Sequence, residues 1–339
     1  MGAKRVYRHG FMPSASRIWG SQMTKKLGLQ VLVTGAAGFI GSHLAERLRS
    51  MGLEVTGIDN FSNGYEENLA ALKEDKGFKL IRGDILNLDD LSKACEGVDS
   101  IFHMAAQSSV ARSTEDPIHD FELNTASTLN VLECARKADV ETILFASSST
   151  VYGDAPVPTP EEHPLRPISN YGASKAAAEA YCHSYSSLYG IRTASLRYYN
   201  VYGPRSRKGV MFDLLEKLKR NEKKLEVLGT GRQSKDYLYI DDAIDATLLV
   251  AGRGKLKGEA YNVGSGKSYS VRELTNRLLK LLGLSGVTKT FYKGGLSWPG
   301  DVQKTQADIS RLKRLGFKPR IELDEGLRNF TEWYRTKYG

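Results

Sequence analysis

Val31-Leu-Val-Thr-Gly-Ala-Ala-Gly-Phe-Ile-Gly41 is the stretch that most limits what this chain can fold into. Leu29 to Val33 is a β-type apolar run, glycines follow at Gly35-x-x-Gly38-x-x-Gly41, and a helix-forming run extends from Ser42 to Ser50. A strand that turns on glycine into a helix makes a phosphate cradle. Gly35 takes the tight turn, Gly38 lets the backbone approach a pyrophosphate, and Gly41 lets the helix pack closely while its first N–H groups face the phosphates. The triplet alone also suits any strand–helix turn that needs glycine. Here a second apolar strand, Leu53 to Ile58, ends in Asp59, where the acid that holds an adenosine ribose belongs. Together the two features predict a bound NAD(H); the acid would repel the 2′-phosphate of NADP.

Composition narrows the class. A chain of 339 residues can bury a substantial core, as one large α/β unit or two closely joined lobes. The net charge of +9 is unevenly placed, because Lys4, Arg5, Arg8, Arg17, Lys25 and Lys26 lie in residues 1–26, which contain no acid. The rest is only mildly basic, which argues against a nucleic-acid-binding domain. Residues 1–26 read as a basic, disordered leader; a transit-peptide reading of the first 22, or a true start at Met23, would fit the same residues. No apolar run approaches the ~18 residues of a membrane span. The longest, Ala243 to Ala251, contains Asp245. Cys95, Cys134 and Cys182 lie in helical patterns without C-x-x-C spacing and read as buried free thiols, in keeping with a cytoplasmic protein.

Along the chain, strands are predicted at Phe78 to Ile81, Ser100 to Met104, Glu141 to Ala146 and Arg192 to Arg197. Helices are predicted after the polar loop Asn60 to Gly64 as far as Lys76, over Leu88 to Cys95, from Asp116 through Asn124 to Ala138, and from near Tyr171. This alternation predicts an α/β fold with a doubly wound, parallel Rossmann-type sheet, whose ligands bind beyond the carboxyl ends of the strands. After residue 200 the elements shorten. The expected organisation is a cofactor-binding domain over 27–200 and, mainly, a smaller substrate-binding lobe over 201–339.

Tyr171-Gly-Ala-Ser-Lys175 places a phenol and an ammonium on one face of a helix. An unperturbed tyrosine, with a pKa of about 10, is a poor base. A neighbouring ammonium and a positive nicotinamide ring would favour its phenolate. The pair follows a serine-rich strand end, Ser147-Ser-Ser-Thr150, downstream of the dinucleotide motif.

From Leu29 onward the sequence resembles the extended short-chain dehydrogenase/reductase family of nucleotide-sugar enzymes, and most closely its UDP-glucose 4-epimerases. The resemblance rests on motifs in order: Thr34 to Gly41, Asp59-Asn60, Gly83-Asp84-Ile85, His103-Met-Ala-Ala106, Ser147-Ser-Ser-Thr-Val-Tyr-Gly153, Tyr171 to Lys175, Arg197-Tyr-Tyr-Asn200, Asp236-Tyr-Leu-Tyr-Ile-Asp-Asp242 and Tyr261-Asn-Val-Gly-Ser-Gly266.

The resemblance implies an NAD-dependent isomerase acting on a nucleotide sugar, and a homodimer built on the helices near Pro117–Ala138 and Tyr171–Tyr189. It places the cofactor on Gly35, Gly38, Phe39, Ile40, Gly41, Asp59, Asn60, Asp84, Ile85, Ala105, Ala106, Gln107, Asn124, Tyr171, Lys175 and Tyr198. Among these, Asp84 and Ile85 would flank the adenine, Asn124 would hold the strand-end loop, and Lys175 would hold the nicotinamide ribose. Tyr171 would be the general base. Ser148 would bond the sugar 4-oxygen, with Ser149 the alternative. Asn200 would touch the substrate pyrophosphate and Glu226 to Leu228 would sandwich the uracil; Val210, Lys235, Asp301 and Thr305 complete the implied substrate set.

Departures from the family pattern matter as much. Lys235 stands where an arginine often clamps the pyrophosphate, and Leu296-Ser-Trp-Pro-Gly-Asp301 lacks the second phosphate-binding arginine. Arg205, Arg207 or Lys208 are candidates to compensate. Thr305 falls where the family gates the sugar 2-substituent, and a small residue there leaves room for an N-acetyl group. Related 4,6-dehydratases and decarboxylases carry a carboxylate after the serine matching Ser148. Here Ser149-Thr150 follows, which favours epimerisation. The remaining alternatives are a reductase that exports hydride and a scaffold without turnover. Gly264-Ser-Gly-Lys-Ser268 looks like the tail of a phosphate-binding loop but lacks its earlier glycine. The six histidines have no ligand-like pairing and no metal site is expected; His103 reads as a packed neighbour of the cofactor site.

Overall fold

The computed structural model describes residues 26–291 and 300–339. Apart from Lys26, the basic leader lies outside these residues, as does most of Leu296–Asp301.

Seven parallel strands form the central sheet. Six follow the expected reading closely: β1 (Gln30–Thr34), β2 (Glu54–Asp59), β3 (Phe78–Arg82), β4 (Ser100–His103), β5 (Thr142–Ser148) and β6 (Arg192–Tyr198). Their spatial order is 3-2-1-4-5-6, so the winding reverses between β1 and β4 and opens a crevice at the carboxyl ends of the strands. The period-2 alternation of side chains divides the core between two faces. Val31 and Val33 face the layer of helix α1 (Phe39–Ser50), with Leu44 and Leu48. Leu32, Ile101 and Ile143 face the opposite layer, with Val131, Leu132, Ala178 and Cys182. Helices on both faces explain why these strands read as continuous apolar runs.

The seventh strand departs from a clean boundary at residue 200. The segment Lys257–Val263 returns from the C-terminal part and pairs in parallel with β6, Tyr261 opposite Leu196. The apolar run Ala243–Ala251 is the reason for the return. It forms most of the helix Ile240–Arg253, which packs on α1, and its Asp245 is ion-paired with Arg47 and Arg320. Among the described residues no helix is long and apolar enough to cross a membrane.

The helix expected from Asp116 is interrupted. A separate helix, Val110–Glu115, precedes it, and Asp116 starts a new one by accepting from the His119 N–H at 3.0 Å, with Pro117 in the first turn. Between Pro117–Phe121 and Ser127–Lys137 lies a π-helical turn, Glu122–Ala126, a local widening common near functional sites. The helix expected between Gly64 and Lys76 is a 3₁₀ segment, Glu66–Leu72. The helix bearing Tyr171 runs Asn170–Tyr189, with Ser169 capping Gly172 N–H and Gly190 ending it in the left-handed conformation.

In the C-terminal part, three strands (Asn200–Tyr202, Ser234–Tyr239 and Ser268–Ser270) form one small sheet, and Lys224–Val227 with Thr288–Phe291 form another. Two aspartates fasten it. The buried Asp236 carboxylate accepts from the Ser265 and Gly266 N–H groups, the Ser265 hydroxyl and the Ala307 N–H, all within 3.0 Å. The turn that looks like a phosphate loop is therefore filled by an internal carboxylate. Asp242 accepts from the N–H groups of Arg320 and Ile321. Cys95, Cys134 and Cys182 are buried free thiols.

Candidate active site

A cavity of about 520 Å³ opens at the carboxyl ends of the strands, where the sheet order reverses. Its floor is the glycine turn. Gly35 has φ +66°, and a Cβ there would lie 2.8 Å from the Ala105 backbone; a Cβ on Gly41 would lie 2.1 Å from the Gly35 oxygen. The helix begins after Gly38, which has no side chain to cap it, so the first-turn N–H groups at Phe39, Ile40 and Gly41 are presented to the cavity they line. Asp59 spans this floor, with one oxygen accepting from Ala37 N–H at 2.8 Å and the other from Phe61 N–H at 2.7 Å. Each oxygen keeps acceptor capacity for a ribose hydroxyl. Burial pushes this carboxyl's pKa up, and the two N–H bonds oppose that shift. Asn60 donates to Asp84 at 2.8 Å, and Ile85 supplies an apolar wall beside them. These residues fit NAD.

The catalytic candidates meet at the far end. Ser148 closes β5, Tyr171 lies in the first turn of its helix, and Lys175 lies one turn on; all three line the cavity. Thr150 donates to the Ser148 oxygen through its hydroxyl at 2.9 Å and its N–H at 3.2 Å. With its oxygen so engaged, the Ser148 hydroxyl proton is free to point at Tyr171, and their hydrogen bond lowers the phenol's pKa. Burial is the larger effect. It pushes Tyr171 up to about 12, and the neighbouring ammonium expected to favour the phenolate is not among the groups that lower it. The Lys175 ammonium explains the difference: it donates to the Ala146 carbonyl at 2.9 Å and lies 4.7 Å from the centre of the Phe145 ring. Burial also holds Lys175 down at about 8. Thr150 is the member of this group that sequence reading left without a role, although it stands inside the motif.

Other expected residues divide. Ala105, Ala106, Tyr198, Ser149, Asn200 and Val210 line the cavity; Tyr198 is held by Thr247 at 2.6 Å, and Asn200 donates to the Asp236 carbonyl at 3.1 Å. Gln107 and Asn124 stand behind the wall, joined through Asp120 at 2.8 and 2.9 Å. Glu226, Leu228, Lys235, Asp301 and Thr305 are not part of the wall. Lys235 is ion-paired with Asp301 at 2.7 Å, so its charge is already matched. The Thr305 hydroxyl accepts from Asp236 N–H at 3.3 Å.

The cations expected to compensate, Arg205, Arg207 and Lys208, line the cavity from a strap. Residues 203–209 cross from the C-terminal part over the glycine helix. His43 donates to the Pro204 carbonyl at 3.0 Å, and Arg205 donates to Ser42 at 3.1 Å and Glu46 at 2.6 Å. Arg207 pairs with Glu67 and lies 3.6 Å from the Tyr65 ring centre, while Lys208 donates to Asn63 at 3.1 Å. Among the described residues no cluster of three His, Cys, Asp or Glu side chains could hold a metal.

Known proteins are similar to this chain over most of its length. The UDP-glucose 4-epimerase of Mycolicibacterium smegmatis is 36% identical over 317 residues, 91% of this chain and 99% of that protein. A solved UDP-galactose 4-epimerase is 38% identical with a TM-score of 0.80, covering 91% of this chain and 100% of its own. The UDP-glucuronic acid 4-epimerase from Bacillus cereus, solved in complex with UDP-glucuronic acid and NAD, is 33% identical with a TM-score of 0.85, covering 91% of this chain and 100% of its own. With residues 31–264 matching it as well, the chain belongs to the NAD dependent epimerase/dehydratase family, and within it to the UDP-sugar 4-epimerases, which are NAD-dependent isomerases.

Proposed function

We propose that this protein inverts C4 of UDP-glucose and UDP-galactose, and of their N-acetyl forms, through a transient 4-keto sugar. The observation that carries the reading is the hydroxyl set Thr150–Ser148–Tyr171 in a cavity whose only acidic lining residues, among those described, are Asp59 and Asp84 at the ends of β2 and β3. Elimination or decarboxylation uses a further acid or base beside the sugar, and no carboxylate lines the wall there. Bound NAD⁺ supplies a reversible hydride acceptor. Tyr171, as the phenolate that the positive nicotinamide ring of bound NAD⁺ would favour, takes the 4-hydroxyl proton and later returns it. Ser148, its oxygen oriented by Thr150, donates to whichever oxygen carries the developing charge. Lys175, one turn on from Tyr171, would hold the nicotinamide ribose. The strap keeps the two halves of the site together, so the cofactor is recycled in place.

The N-acetyl reading rests on the family resemblance at Thr305, a small residue held behind the cavity wall against Asp236 N–H, and the partner is proposed to be a second copy of the chain. Turnover is measured on purified protein without added cofactor, using UDP-galactose, UDP-N-acetylgalactosamine, UDP-glucuronate and dTDP-glucose. Interconversion of 4-epimers without net NADH is expected for the first two sugars. Thr305→Tyr should abolish the N-acetyl reaction and spare UDP-galactose. A 4-keto-6-deoxy or pentose product would replace the epimerase reading with a lyase, and equal loss on both sugars in Thr305→Tyr would sink the N-acetyl assignment.

A further inference from the structure

We infer that His103 is a positioning residue, the neutral centre of a directional hydrogen-bond relay that fixes the strand-end loop Met104–Ser109 against the cofactor. The relay runs through buried atoms. Thr128 donates its hydroxyl to the Asn124 carbonyl at 2.6 Å, so its oxygen is left to accept from His103 Nε2–H at 3.1 Å. A neutral imidazole protonated at Nε2 carries a bare Nδ1. Thr34 then donates its hydroxyl to that Nδ1 at 2.7 Å, and its oxygen in turn accepts from Ala105 N–H at 3.1 Å. Each bond sets the direction of the next. Burial, with the Lys175 charge as a lesser cause, holds the imidazole pKa down at about 3, in keeping with a ring that stays neutral.

The far end returns to the same loop. Asn124 donates to Asp120 at 2.9 Å, Asp120 accepts from Gln107 at 2.8 Å, and Gln107 bonds both backbone groups of Ser109. The loop is therefore gripped at Ala105 and again at Gln107 to Ser109. Between these grips Met104, Ala105 and Ala106 line the cavity, and Ala105 sets how closely Gly35 can approach. The π turn at Glu122–Ala126 carries Asn124, whose carbonyl ends the chain from Thr128 and whose amide begins the return through Asp120.

Nitrogen-15 NMR of histidine-labelled wild-type protein tests the tautomer, with His103 identified by its contacts to Thr34 and Thr128. A neutral Nε2–H ring at pH 6 is expected; an Nδ1–H ring or an imidazolium would overturn the relay. Thr34→Val keeps the shape and removes both bonds, whereas Thr34→Ser keeps both and drops a methyl. The relay requires Thr34→Val to retain NAD about tenfold less well on gel filtration, and Thr34→Ser to hold it as wild type does. A packing role predicts the reverse order, and that result would also overturn it. If Thr34→Val does not fold, the wild-type spectrum and the Thr34→Ser retention decide.

Discussion

Lys175 holds an ammonium where burial disfavours charge, with one carbonyl and an aromatic face to offset the lost water. The unfolded chain binds this proton up to about pH 10.4. The folded chain releases it near pH 8. Between those values the unfolded state holds more protons, so stability rises with pH, and below pH 8 the penalty is present in full. Lys175→Met removes the penalty and loses the bond to Ala146. Cofactor-free Lys175→Met should therefore be more stable than wild type at pH 7, by on the order of 1 kcal/mol, an advantage that shrinks toward pH 10. Its turnover should fall at least about a hundredfold. Urea titrations at both pH values, beside initial rates, check this; a variant less stable at pH 7 would contradict the account. The same burial explains why the Tyr171–Lys175 spacing could be read while the phenol's acidity could not. Spacing is local, whereas desolvation depends on the strands packed behind the helix.

Elements were readable where local pattern and global packing agree. The strand–glycine–helix unit and strands β2 to β6 carry their own periodicity and punctuation, and they lie where expected within a residue or two. The π turn at Glu122–Ala126 carries no such mark, because its widening is compensated by a bond to a remote residue, Thr125 to the Ser174 carbonyl. The seventh strand of the sheet was hidden for a similar reason. Lys257–Val263 looks like a lobe element until the helix Ile240–Arg253 packs on α1 and brings it home. The strap at 203–209 is the sharpest case: its arginines line the cavity, as a phosphate-binding role needs, but their pairing with Glu46 and Glu67 depends on residues far apart in sequence. The Arg205–Glu46 pair is mostly buried, so its loss is felt more than that of an exposed pair. Arg205→Met should speed loss of NAD about fivefold, corresponding to roughly 1 kcal/mol. The charge swap Arg205→Glu with Glu46→Arg should recover much of it. Cofactor retained after desalting, read by absorbance, checks both; unchanged retention in Arg205→Met would remove the strap from cofactor binding.

At the scale of the molecule, an apolar surface lies on the helices that support the candidate catalytic residues. Ile118 (67% exposed) and Phe121 project from Pro117–Phe121, and Tyr181, Leu188 (70% exposed) and Tyr189 from Asn170–Tyr189, two helices packed on each other. Exposed apolar side chains grouped in this way favour a partner surface over bulk water. A second copy of the same chain supplies a matching surface when two such helix pairs meet about a twofold axis. The helix that would lie in that interface also carries Tyr171 and Lys175 near its start, so association would stiffen the catalytic helix along its length. Leu188→Glu places a charge in the patch about five turns from Tyr171 and leaves the cavity untouched. Sedimentation should show the wild type as a dimer and Leu188→Glu shifted to monomer, with the monomer unfolding at lower temperature. A wild type that sediments as a monomer at micromolar concentration would reject the dimer outright. A Leu188→Glu protein that stays dimeric would place the interface elsewhere.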